Sequence, residues 1–101
     1  MKTAELPIRL DRVRIAQFCL ARGIRKLSLF GSVLRDDFDA ARSDVDMLAE
    51  FMPDAHPGLA YFGFGEELSE IIGHPVDLCS KLSPYIDVEV RREALSIYEQ
   101  A

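Results

Sequence analysis

The short segment Leu27-Ser28-Leu29-Phe30 runs without a break into Gly31-Ser32, and this junction constrains the chain more than any other feature. Apolar residues at positions 27, 29 and 30 predict a short β-strand. Glycine followed by serine ends it, and Val33-Leu34-Arg35 predicts a short helical turn. A strand that stops on two small residues just before a helical turn aims backbone N–H groups at whatever lies beyond its end. Serine adds a hydroxyl to the same place. The junction is a candidate anion site, and Gly31 and Ser32 are its candidate residues.

The rest of the chain alternates helical and strand-like segments. Leu10, Val13, Ala16 and Leu20 recur at helical spacing, with Ile15, Phe18 and Cys19 widening the stripe and Gly23 as C-cap. Asp36 to Ser43 is polar and reads as a loop. Asp44 to Phe51 then reads as a strand with Val45, Met47, Ala49 and Phe51 on one face and Asp44, Asp46 and Leu48 on the other. Pro53, Pro57 and Gly58 mark a turn. An amphipathic segment follows from about Leu59 to Ile72, bounded by Gly73 and Pro75. Pro75 to Cys79 is a short strand containing Asp77. Ser83-Pro84 resembles an N-cap and first helical position, so a last helix is expected to about Arg92. Ala94 to Tyr98 either continues it or forms a terminal strand. The pattern predicts an α/β or α+β fold, a small sheet against helices, with the order of strands left open.

With 101 residues, one domain is expected over residues 1–101. The apolar fraction of 49% fits a globular chain, and no apolar run reaches the length of a membrane span. Met1 to Pro7 carries no apolar stretch of the kind that opens a secretory signal. Cys19 and Cys79 lack metal-ligand spacing and read as free, buried thiols, as expected in a reducing cytoplasm. The net charge of −5 argues against a nucleic-acid partner, which needs a basic footprint. Arg9, Arg12, Arg14, Arg22, Arg25 and Lys26 crowd the first quarter of the chain. They read as a solvated helix face with a complement to the helix dipole, or else as a patch for an acidic protein.

The acids sharpen this reading. Asp44 and Asp46 are two apart on the expected strand, so both leave the same face, about 6–7 Å apart along it. Paired metal ions lie about 3.5–4 Å apart, within reach of two such carboxylates. Asp-x-Asp alone is weak, because nine Asp in the chain produce such a match by accident. Asp37-Phe38-Asp39 is one, and reads as loop solvation. Asp44 alone reads equally well as a cap at the start of the strand. Asp46 and Asp77 carry more weight, because each interrupts an apolar run, Val45-Asp46-Met47-Leu48 and Val76-Asp77-Leu78. A carboxylate placed there needs a metal or a basic partner. Gly63-Phe64-Gly65 begins like a dinucleotide loop but lacks its third glycine and a preceding strand. His56 and His74 flank prolines and read as turn residues. A phosphate-binding turn and three carboxylates together point to nucleotidyl transfer.

These segments also resemble a known family. Leu29-Phe30-Gly31-Ser32-Val33-Leu34-Arg35-Asp36-Asp37-Phe38, then Ser43-Asp44-Val45-Asp46-Met47-Leu48, is similar to the minimal nucleotidyltransferases of the DNA polymerase β superfamily. Gly73-His74-Pro75-Val76-Asp77-Leu78 resembles the segment that carries that family's third acid. The resemblance implies a mixed sheet flanked by helices, Mg²⁺ as cofactor and a nucleoside triphosphate, ATP, as donor. It implies that Gly31 and Ser32 hold the triphosphate with Arg35 as a further phosphate contact, and that Asp44, Asp46 and Asp77 bind metal and form the catalytic centre. Many such proteins are antitoxins that silence a HEPN ribonuclease toxin by transferring AMP to its tyrosine.

The expected function is therefore Mg²⁺-dependent transfer of AMP from ATP to a hydroxyl of a HEPN-type toxin. Two alternatives stand beside it. One is a nucleotidyltransferase-fold module that neutralises its partner by contact alone; the other is a transferase acting on a small molecule. The loop bears on the first, because Val33 to Ser43 places eleven residues before the first acid where the family usually has ten.

Overall fold

In the computed structural model, which describes residues 8–35, 38–39, 42–80, 90 and 92–100, the first element is helix α1, Arg12–Arg22. The Asp11 carboxylate caps it by accepting from the Arg14 N–H at 3.2 Å. Gly23 ends it in the left-handed region at φ +72°, its N–H donating to the Cys19 carbonyl. The buried stripe is Ile15, Phe18 and Cys19, whereas Val13 and Leu20 are 67% and 63% exposed. Of the wide stripe expected, Ile15, Phe18 and Cys19 are buried and Leu10 packs at the edge of the core, whereas Val13 and Leu20 face outward. Both sets satisfy the helical period, so spacing alone does not choose between them. Phe18 meets Phe64 edge-on at 5.9 Å between ring centroids, and the Arg22 guanidinium covers the Phe18 ring at 4.2 Å.

Four strands follow: β1 (Ile24–Phe30), β2 (Val45–Phe51), β3 (Val76–Cys79) and β4 (Leu95–Glu99), in the sheet order β3-β2-β1-β4. β1 is antiparallel to both β2 and β4, while β2 and β3 are parallel, so the sheet is mixed. A parallel pair needs a crossover. Here it is a 3-10 helix, Gly58–Gly63, leading into helix α2, Phe64–Ile72. The amphipathic segment expected from Leu59 to Ile72 is thus two elements. β1 starts three residues before Leu27, because Arg25 and Lys26 extend it by pairing with the flanking strands. Arg25 meets Glu50 at 3.6 Å and Lys26 meets Glu99 at 4.0 Å. Ala94 to Tyr98 proves to be mainly strand. Most of the helix expected from Ser83 lies outside the described residues, as do Asp36 and Asp37.

One face of the sheet, carrying Leu27, Leu29, Val45, Met47 and Ala49, packs under the helices against Ile15, Phe18, Phe64, Leu68 and Ile72. The other face carries Ser28 and Phe30 of β1, Asp46 and Leu48 of β2, and Asp77 and Cys79 of β3, in lateral register. Ser69 ties α2 to β3: its hydroxyl donates to the Gly65 carbonyl at 2.8 Å and accepts from the Val76 N–H at 2.9 Å. The Tyr61 hydroxyl donates to the Leu78 carbonyl at 3.2 Å. Both cysteines are free; Cys19 is buried, with its thiol pushed up to about 12 by that burial, while Cys79 is half-buried. Of the six early basic residues, Arg22 grips Glu67 through two hydrogen bonds of 2.8 and 2.9 Å. Arg25 and Lys26 form the strand ion pairs, and Arg12 donates to the Ile97 carbonyl at 2.9 Å.

Two stability predictions result. Leu68 is fully buried in the core, so Leu68→Ala should cost about 3 kcal/mol in urea unfolding. The Arg22 contact holds the Glu67 carboxyl below the usual glutamate range. Its stabilisation is present above the unfolded pKa and is lost as pH falls through the lower folded value. Both partners are partly exposed, so the pair contributes no more than about 1 kcal/mol. Glu67→Gln should lower the Tm at neutral pH, and the gap to wild type should close in acid below pH about 4.

Candidate functional site

The site lies where β1 ends. Phe30 leads into a single 3-10 turn, Gly31–Leu34, closed by the Arg35 N–H donating to the Ser32 carbonyl at 2.9 Å. Gly31 holds φ +78°, a left-handed conformation that suits glycine. Asp46 lies opposite Phe30 on β2. A Cβ built on Gly31 would run into Asp46 Oδ2 and stand 3.3 Å from its Cγ. Glycine is thus required here for its backbone and for the room it leaves to a carboxylate.

The third acid arrives by strand pairing. In the parallel β2–β3 pair, Asp46 is directly opposite Asp77. Residues in register on adjacent strands point to the same face, so the two carboxylates are neighbours. The Val45 N–H donates to the Pro75 carbonyl at 2.8 Å and anchors that register where β2 begins. Asp44 immediately precedes β2 and is exposed. Asp46 is half-buried, but Asp77 is exposed, because β3 is a four-residue edge strand. The expectation that burial strains both Asp46 and Asp77 therefore holds only for Asp46.

Electrostatics link these groups. Burial, and then the charges of Asp77 and Asp44, push the Asp46 carboxyl above the usual aspartate range, and Arg35 partly offsets them. Asp46 thus lies in the field of both other acids and of one guanidinium. Among the described residues, no three His, Cys, Asp or Glu side chains gather closely enough to hold a metal ion. The donor chemistry nevertheless fits a hard divalent cation: carboxylate oxygens that repel one another across a parallel strand pair, with Gly31 leaving space beside one of them.

Three features around the site were not legible in the sequence. Phe38 packs edge-on against His74 at 6.2 Å between ring centroids, joining the loop before Asp44 to the turn before β3. Next to it, the Asp39 carbonyl accepts from the Arg42 and Ser43 N–H groups at 3.0 and 2.6 Å, and the Asp39 N–H donates to Ser43 Oγ at 3.1 Å. Asp39, expected only to solvate the loop, builds a turn into β2. On the β4 side, Arg35 shares a cavity of about 400 Å³ with Leu34, Glu93, Ala94 and Leu95. An aromatic in an acidic loop was the one available signal for Phe38; for the cavity there was none, because it depends on β4 returning beside β1.

Comparison with known proteins agrees with this architecture. A structure of a protein thought to be a minimal nucleotidyltransferase superposes with a TM-score of 0.68 at 29% identity, covering 83% of this chain and 86% of that one. A mutant of the MntA-HpeT toxin–antitoxin gives 0.68 at 16% identity, over 90% of this chain and 75% of that one. A toxin–antitoxin structure with AMP-PNP gives 0.68 at 19% identity with the same coverages. These last two likenesses are of fold. None of the curated proteins matches. The family model for the nucleotidyltransferase domain matches residues 13–98, from the first turn of α1 through β4 and across all the candidate site residues, and the chain belongs to that family, with the fold of the minimal nucleotidyltransferases.

Proposed function

We propose that this chain is an antitoxin that transfers AMP from ATP to a tyrosine hydroxyl of a HEPN-type toxin in the cytoplasm. The observation that carries the reading is the placement of Asp46 in register with Asp77 and against the open side of Gly31. The turn expected to hold a triphosphate thereby lies beside two of the acids expected to hold a metal.

In this reading Gly31 and Ser32 seat the triphosphate, and Arg35 adds a positive charge beside it. Asp44, Asp46 and Asp77 hold Mg²⁺, which supplies counter-charge to the triphosphate and to the departing pyrophosphate. The acceptor oxygen attacks the α-phosphorus, the bond from that phosphorus to the bridging oxygen breaks, and pyrophosphate leaves. Asp77, which is exposed at the sheet edge, would take the acceptor's proton in this reading. Catalysis is then chiefly positioning and electrostatic stabilisation. The partner and donor are favoured by the likeness in fold to toxin–antitoxin structures, one of which contains AMP-PNP.

The test is incubation of the purified chain with Mg²⁺, labelled ATP and its genomic-neighbour protein, reading the neighbour's mass. A gain of AMP that vanishes with Asp44→Ala/Asp46→Ala is the expected result. A stable complex without mass gain would instead identify a module acting by contact alone. Asp46→Asn should lower transfer by more than the roughly 10–100-fold that loss of a supporting contact costs a metal site. Its fold and partner binding should remain, and undiminished transfer by this variant would sink the metal assignment. Gly31→Ala should destabilise the fold by about 1–2 kcal/mol through its backbone conformation. It should also weaken ATP binding, measured calorimetrically, because the new methyl displaces Asp46.

A further inference from the structure

At the opposite end of β1 from Gly31 lies a second cavity, of about 780 Å³, between the end of α1 and the start of α2. Seven strand residues separate the two ends, so the cavity is about 20–25 Å from the acids. Its apolar floor includes Ala21, Ala55, Ala60 and Phe64. Beside it the 3-10 helix exposes Leu59 and Phe62, 85% and 79% accessible. Three residues apart in such a helix, they share one side, while their neighbours Ala60 and Gly63 line the cavity.

The rim is acidic. Glu66, Glu67 and Glu70 of α2 line the cavity with Arg22 and His56. Arg22 is already committed: it holds Glu67 through two hydrogen bonds, donates to the Phe18 carbonyl at 3.2 Å and covers the Phe18 ring. Among the described residues, Glu66 and Glu70 have no cationic partner. They are one helical turn apart, an arrangement that costs a helix stability when both are charged. Glu66 gains from the helix dipole in the first turn; Glu70, in the last turn, does not. Glu70 also lines two smaller hollows, one with Arg14 and Ile71 and the other with Arg9 and Leu10.

We infer that this cavity is the docking surface for the partner protein, taking a segment that carries Lys or Arg beside one apolar side chain. The inference rests on the partner proposed above. Charge complementarity selects the occupant: two unpaired carboxylates beside an apolar hollow are met by a basic, amphipathic segment. The cavity volume exceeds what one side chain fills and is within the range of binding clefts. Docking here leaves the acids at the other end of the sheet accessible to the acceptor, so the hold on the partner is separate from the chemistry.

The test uses the full chain and its genomic-neighbour protein in calorimetric titration, comparing wild type with Glu66→Lys/Glu70→Lys and with Ala60→Trp. Both variants should raise the Kd at least about tenfold, while ATP binding stays at the wild-type value. Asp44→Ala/Asp46→Ala should bind the partner as wild type does. The charge variant lies on the surface, so it decides the matter even where Ala60→Trp fails to fold. An unchanged Kd in Glu66→Lys/Glu70→Lys, or no complex with the wild-type chain, would overturn the docking surface. A homodimer that the same substitutions dissociate would overturn the choice of occupant in favour of a second copy. An intact complex that shows no AMP transfer would count against the transferase reading alone.

Discussion

The parallel pairing of β2 with β3 is the constraint on which the site depends. A one-residue slip in that pair would turn Asp77 to the helix side and bring an apolar residue beside Asp46. The register is held where the two strands begin, at Val45 and Val76. The Val45 N–H is bound by the Pro75 carbonyl, and the Val76 N–H is bound by the Ser69 hydroxyl of α2. Val76 and Leu78 pack against the core on the far side, so a slip would also move apolar side chains into water. The same packing that stabilises the fold therefore aligns the acids.

Helix α2 serves both ends of the molecule. Its buried face, Phe64, Leu68 and Ile72, closes the core over the sheet and completes the crossover that makes β2 and β3 parallel. Its polar face binds Arg22 through Glu67 and leaves Glu66 and Glu70 lining the large cavity. Phe51, Tyr61 and Phe64 stack edge-on or tilted at 5.9–6.4 Å between centroids, fastening the crossover to the end of β2 remote from Asp46. One end of the sheet is thus packed with aromatic rings. The other is left to carboxylates and to a turn with room beside it.

Placing acids together is unfavourable for folding, and the structure limits the cost by exposure. Asp44 and Asp77 remain in contact with water, where like charges are screened. Only Asp46 is drawn partly inward, and it bears the consequence in its raised pKa, with Arg35 as the nearby counter-charge. The absence of a side chain at Gly31 makes that inward position possible. Local rules of packing are relaxed here, as expected at a functional site.

Much of this was written locally in the chain. The strand ending at Gly31-Ser32, the inward set Val45, Met47 and Ala49, the caps at Gly23 and Gly73, and the three acids are all set by short-range periodicity and by residue chemistry. Such features need only a few neighbouring residues, so they survive in the sequence. Other features did not. The α1 stripe was read too wide because apolar residues cover much of the helix, and only contact with Phe64 and the sheet selects Ile15, Phe18 and Cys19 over Val13 and Leu20. The exposure of Asp77 depends on β3 being an edge strand, and the partnership of Asp46 with Asp77 on which strands pair and in what register. Those are long-range choices, decided by how the apolar faces bury one another. The sequence by itself determined which chemical groups the site contains; the tertiary structure decided which of them meet, because strand order and register exist only once the core is packed.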